Sequence, residues 1–186
     1  MLVTPAKLTL RVGQGAQLSG EIDDASGQPI GGAPLRWTAT DERLVMISAT
    51  GWVRTAGAIG KTTVIASTDG ARVEVPVTIE PGSPDALRVL GGDAQTAKVE
   101  RLLPTAIVLR ASDASDNGLA NVAVKLTTDE GTVVPDHGIT DDKGTITVRW
   151  TLGPTVGPQA LTAKVVDSTV RAVVNADATA TGSSPD

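Results

Sequence analysis

From Lys7 to Ala178 the sequence is cut by turn-forming residues into short, β-branched or alternating stretches, and no segment carries the periodicity of a convincing amphipathic helix. In the first half these stretches are Lys7–Arg11, Gln17–Asp23, Leu35–Ala39, Val45–Ser48, Trp52–Thr55, Lys61–Ser67 and Arg72–Ile79. Between them stand Val12-Gly13-Gln14-Gly15, Ser26-Gly27-Gln28-Pro29, Thr50-Gly51 and Asp69-Gly70, which tolerate positive φ or preset it as tight turns require. Asp69-Gly70 reads as the clearest hairpin. Seven short strands are what one β-sandwich needs.

Glu80-Pro81-Gly82-Ser83-Pro84-Asp85 then interrupts the pattern, because two prolines cannot donate ladder hydrogen bonds. The boundary is placed there, giving domains 1–80 and 81–186 joined by a short, semi-rigid connection that sets them end to end with limited bending. The second half supplies Ala86–Leu90, Ile107–Ser112, Val122–Thr127, Gly131–Val134, Thr145–Leu152, Ala160–Val166 and Thr169–Ala178, with a frayed tail from about Ala180. Placing Ile107–Asp113 on Leu18–Asp24 carries Val124-Lys125-Leu126 onto Leu35-Arg36-Trp37 without a gap, so the halves read as divergent copies. Alternation turns Leu35, Trp37, Val124 and Leu126 inward and Arg36 and Lys125 outward. The expected fold class is all-β, two tandem immunoglobulin-like β-sandwiches.

Phe, Tyr and Cys are absent, and the three Trp are the only aromatics. A core must therefore be built from Val, Leu, Ile and Ala around isolated indoles, and disulfides, thiolate metal sites and a thiol nucleophile are excluded together. The net charge of −5, with 16 dispersed bases, argues against nucleic acid as a partner. No apolar run of 18 residues exists to insert in a membrane as a helix, and Met1-Leu2-Val3-Thr4-Pro5 is not a signal peptide, so an exported parent is expected to contain this chain as an internal fragment with an added Met.

Chemistry-bearing residues are few. Asp113, Asp116 and Asn117 cluster in one turn and Asp141 and Asp142 in another, as oxygen ligands of Ca²⁺ do, although the spacing fits no EF-hand and such residues also make side-chain turns. Glu80, Asp85 and Asp93 form a second calcium candidate at the boundary. No other cofactor is expected. His137, in the loop-like Pro135-Asp136-His137-Gly138, lacks partners for a triad or a zinc site, and Ser19, Ser48, Ser112 and Ser168 have no histidine–acid pair in view, which excludes the common hydrolase arrangements and leaves an enzyme disfavoured. Trp37 and Trp150 read as core indoles. Trp52, just after Thr50-Gly51, packs in the core or at an edge, or stacks on a sugar or partner, and is the candidate ligand contact.

Over residues 3 to 80 the sequence resembles the group 2 bacterial Ig-like domains, through Val3-Thr-Pro5, Leu8-Thr-Leu-Arg-Val-Gly13, Gly27-Gln-Pro-Ile30, Trp37-Thr38, Gly51-Trp-Val53 and Gly60 leading into Thr63-Val-Ile-Ala66. Residues 82 to 179 resemble the group 1 domains of intimin- and invasin-like adhesins, through Gly82-Ser-Pro-Asp-Ala-Leu87, Leu103-Pro104, Val122-Ala-Val124, Gly131, Thr140-Asp141, Gly144 and Trp150-Thr-Leu-Gly153. Leu126 and Val173-Val-Asn-Ala176 depart from the latter pattern where an aromatic is usual, which thins the core. The resemblance implies a non-catalytic spacer or adhesive module of a bacterial surface or secreted protein, or of a phage particle, at an extracellular location. Its partners would be neighbouring Ig-like domains of the parent chain and a host or surface glycan or protein. A monomer is expected, since Lys and Pro stand near the edges.

Overall fold

The computed structural model describes residues 1–24, 26–30 and 34–181, and of the frayed tail expected from about Ala180 the part beyond Thr181 lies outside these residues. The described residues form strands joined by turns, with no helix long and apolar enough to cross a membrane. Contacts divide the chain into two compact units, Met1–Gly82 and Ser83–Asp186.

Unit 1 contains β1 (Leu2–Thr4), β2 (Leu8–Arg11), β3 (Gly15–Gln17), β4 (Ser19–Glu21), β5 (Arg36–Ala39), β6 (Val45–Ile47), β7 (Trp52–Thr55), β8 (Gly60–Thr68) and β9 (Ala71–Glu80). One sheet runs β2-β9-β8-β5; β3-β7-β6 and the β1-β4 pair make the other layer. The stretch expected as one strand, Gln17–Asp23, is broken at Leu18 into the end of β3 and β4; the Leu18 N–H leaves the ladder for the Gly51 carbonyl (2.9 Å) while its side chain is buried. Alternation drives the packing: Leu8, Leu10, Val64, Ala66, Val75 and Val77 meet Val3, Leu18, Val45 and Val53 in one buried cluster. Asp69-Gly70 closes the β8–β9 hairpin, with Thr68 opposite Ala71.

Unit 2 contains β10 (Ala86–Gly91), β11 (Gln95–Lys98), β12 (Ile107–Ser112), β13 (Ala123–Thr128), β14 (Thr132–Val134), β15 (His137–Ile139), β16 (Thr145–Thr151), β17 (Gly157–Val165) and β18 (Arg171–Thr179). Its sheets are β10-β12-β16-β14 and β11-β18-β17-β13-β15. Trp150 is completely buried between them, its indole N–H directed at the Glu130 carbonyl (3.4 Å).

Both units begin with the same device. The first strand splits, so that its early part pairs antiparallel in one sheet (β1 with β4, β10 with β12) and its later part pairs parallel with the last strand of the other (β2 with β9, β11 with β18). With two facing sheets, this makes the chain two tandem immunoglobulin-like β-sandwiches.

The structure corrects the sequence reading at several points. β1, β11 and β15 are strands where none was expected: Gln95-Thr-Ala-Lys98 is too polar to announce itself, and His137 follows turn-forming Pro135-Asp136 yet pairs with Lys125 at the sheet edge. Trp37 and Leu35, read as inward, are only half-buried, because β5 is an edge strand with no described strand beyond it.

Candidate functional site

The acidic turns share one local chemistry. Asp113 accepts from the N–H groups of Ser115 and Asn117 through one carboxylate oxygen (2.9 Å each), while its own N–H donates to the Asn117 carbonyl. Asp24 does the same with Ser26 and Gln28, as the alignment of the two halves predicts. Asp141 repeats it with Lys143 and Thr145, adding the Thr145 hydroxyl (2.6 Å), and Ser48 does so through its hydroxyl with Thr50 and Trp52. All four are five-residue turns in which a short polar side chain caps backbone donors that no strand could satisfy.

The first and last of the acidic turns of unit 2 pack together. A Cβ on Gly118 would run into the Lys143 carbonyl, and one on Gly144 would stand 2.6 Å from the Ala111 carbonyl, so glycine is required at both. The structure thus brings Asp113, Asp116, Asn117, Asp141 and Asp142 to one end of unit 2. What balances their charge there is protein: Asp116 pairs with Arg88 (3.1 Å) and Arg110 (3.4 Å), and Arg110 also donates to the Asp116 and Lys143 carbonyls. Asn117 directs its amide at both Asp113 oxygens (3.1 and 3.0 Å). Among the described residues no group of three or more acidic or histidine side chains is arranged to hold a metal. The Thr145 hydroxyl, ahead of the backbone N–H groups, holds the Asp141 carboxyl below the usual carboxylate range, and the Arg43 side chain does the same for Asp41.

Of the boundary acids, Glu80 ends β9 in unit 1. Asp93, in unit 2, accepts from its neighbour Ala94 and from the Asn175 N–H of β18 (2.9 Å). His137 is exposed on β15, and its ring meets the Asp136 carboxylate (2.6 Å).

Trp52 opens β7 directly after Gly51, whose φ of +84° and closeness to the Leu18 carbonyl admit no side chain. The Ser48 turn clamps both backbone groups of Trp52. Its indole lies over Gly15 of β3, where an added Cβ would sit 2.9 Å from the ring, and it is 48% exposed. On the same outward face stand Gln17, Arg54 and Met46, the Arg54 guanidinium resting on the Met46 sulfur (3.8 Å). Beside β5, an open cavity of about 600 Å³ is lined by Pro34, Leu35, Arg36, Trp37, Ser67 and Asp69 among the described residues. Sequence reasoning missed that cavity and a basic row on unit 2, since both depend on which strands become neighbours.

No curated protein sequence matches the chain. Among solved structures, the D00-D0 domain of intimin is similar at 18% identity over 95% of this chain and 97% of that one, with a TM-score of 0.48. The Yersinia pseudotuberculosis adhesin InvE is similar at 18% identity over 95% of this chain and 57% of that one (TM-score 0.44). Domains 4 and 5 of the S-layer protein SbsC follow at 16% over 88% and 82% (TM-score 0.44). The chain spans only 26% of the longer SbsC fragment of domains 4–9. Residues 1–79 match the family model of the bacterial Ig-like domain (group 2), so the N-terminal unit is similar to that family along nearly its whole length.

Proposed function

We propose that the chain is a pair of load-bearing spacer modules from an extracellular or surface-exposed bacterial protein, non-catalytic in themselves. The observation that carries this reading is the parallel pairing of first and last strands in each unit. Leu8 to Arg11 runs alongside Val77 to Glu80, and Gln95 to Lys98 alongside Ala176 to Thr179. Parallel terminal strands bring the chain in at one end of a sandwich and out at the other, as a module in a series requires. Tension between the two ends loads the ladder hydrogen bonds of those strands together in shear, whereas an antiparallel terminal pair would unzip one bond at a time. The group 2 likeness of unit 1 supports the same role, and the resemblance of residues 82 to 179 to the group 1 domains supports it for unit 2.

Pulling the chain by its two ends tests this. Two discrete rupture events are expected, each releasing roughly 25–30 nm of chain. Extension at low force without discrete events sinks the reading.

A second role, contact with a glycan or protein through Trp52, is favoured by the indole seated on Gly15 with one face open. Soluble glycans should quench or shift tryptophan emission in the parent chain and not in a folded Trp52→Ala variant. A signal that survives the substitution removes Trp52 from the role.

A further inference from the structure

The register of the larger sheet of unit 2 aligns four basic side chains that lie far apart in the sequence. His137 on β15 is directly opposite Lys125 on β13, Lys125 is opposite Lys164 on β17, and Lys164 is opposite Arg171 on β18. All four are exposed, while Val124, Leu126, Ala163 and Val165 beside them are buried, so the row lies on the outward face. With strands about 4.8 Å apart, it crosses four strands in roughly 14 Å.

The flanking rows carry no acid. On one side stand Thr127, Thr162 and Val173; on the other, Ala123 and Ile139. Among the described residues Lys125, Lys164 and Arg171 have no ion pair, and the acid nearest the row along the chain, Asp136, is bonded to His137. Elsewhere the same protein sets base against acid: Arg43 on Asp41, Arg72 on Glu74, Arg88 and Arg110 on Asp116. Like charges directly opposite one another across strands destabilise a sheet. Two consecutive like-charged pairs, Lys125 with Lys164 and Lys164 with Arg171, in a chain of net charge −5, therefore work against folding and leave a concentrated positive potential on one face.

We infer that this row binds a linear anionic glycan, whose carboxylate or sulfate groups lie across the strands on Lys125, Lys164 and Arg171. The Thr127 and Thr162 hydroxyls stand where sugar hydroxyls would pass. A glycan fits this face better than other polyanions. None of the three aromatic residues lies on it to stack a nucleic-acid base, and its exposed apolar side chains, Ile139, Val166 and Val173, are short β-branched groups rather than the Trp, Phe and Leu that enter a bilayer interface. The inference stands apart from the load-bearing reading, and either can fail alone.

The test is titration of the whole chain with polygalacturonate and with heparin, the two arms separating carboxylate from sulfate recognition. Neutral dextran, duplex DNA and vesicles of equal parts phosphatidylcholine and phosphatidylglycerol serve for comparison. At least one anionic glycan should bind and weaken about tenfold between 50 and 200 mM salt. The variant Lys125→Gln, Lys164→Gln, Arg171→Gln should lose at least tenfold in affinity while its melting temperature stays level or rises, since the repulsion is relieved. The charge-matched variant Lys7→Gln, Lys61→Gln, Arg72→Gln on unit 1 should bind within about twofold of the parent. Unaltered affinity in the first variant, equal loss in the second, no binding to either glycan, or tighter binding to DNA or vesicles overturns the assignment.

Discussion

Unit 1 and unit 2 share a strand plan and a capped turn at one aligned position, Asp24 and Asp113, yet they differ in how well the sandwich is closed. Unit 2 buries 19 hydrophobic residues in its core against 12 in unit 1 among the described residues. Part of the difference traces to one strand. Unit 2 adds β15 outside β13, which turns β13 into an inner strand and buries Val124 and Leu126. In unit 1, β5 is an edge, and Trp37 at the position aligned with Leu126 packs against the core with part of its ring beside an open cavity. Unit 2 keeps its Trp on a different strand, at the centre. A larger side chain therefore does not guarantee a fuller core, because covering an edge strand removes more apolar surface from water than enlarging one residue on it.

Truncating each indole gives the sharpest test of this contrast. Trp150→Ala should cost about 3–5 kcal/mol and lower the melting transition of unit 2 by more than about ten degrees. Trp37→Ala, removing a half-buried ring, should cost about 1–2 kcal/mol in unit 1. Calorimetry resolves the two, and equal costs would break the comparison.

The paired turns give a smaller contrast. Asp113 is buried, and Asp113→Ala strands the Ser115 and Asn117 N–H groups, for about 2 kcal/mol. Asp24 makes the same two backbone bonds in an exposed turn, where water replaces the lost acceptor, so Asp24→Ala should cost about 0.5–1 kcal/mol. Chemical denaturation of each variant measures the pair.

The smallest effect concerns acid. Asp141 and Ser48 cap equivalent turns, and only Asp141 titrates. Its carboxyl is held low in the folded state, so the stabilisation is present above the ordinary carboxylate range and is lost as pH falls through the depressed value, below about pH 4. Asp141→Ser should make unit 2 less acid-sensitive in that window while leaving unit 1 unchanged. A pH series of melting curves checks it, and an unaltered acid limb in unit 2 would remove Asp141 from the account.

The capped turns, the Asp69-Gly70 hairpin and most strands were legible in the sequence because each depends on residues within a few positions of one another. β12 and β7 match their expected spans to the residue. The acidic cluster was legible as a cluster, but Arg110 as its counter-charge was not, since that pairing needs two turns folded against each other. Trp52 was singled out by the turn before it, whereas its seat on Gly15 depends on β3 pairing with β7.

What the sequence by itself determined is therefore the local part: an all-β chain, where it turns, and which face of each strand is apolar, because φ preferences and period-two alternation act over a few residues. Only the tertiary structure decided which strands became neighbours. That choice sets lateral register, which lines up Lys125, Lys164 and Arg171 from three separate strands, and it sets edge or interior status, which buries Leu126 and leaves Trp37 half open. Both are properties of pairs of strands, fixed by the burial of two sheets against each other, and no single stretch of sequence carries them.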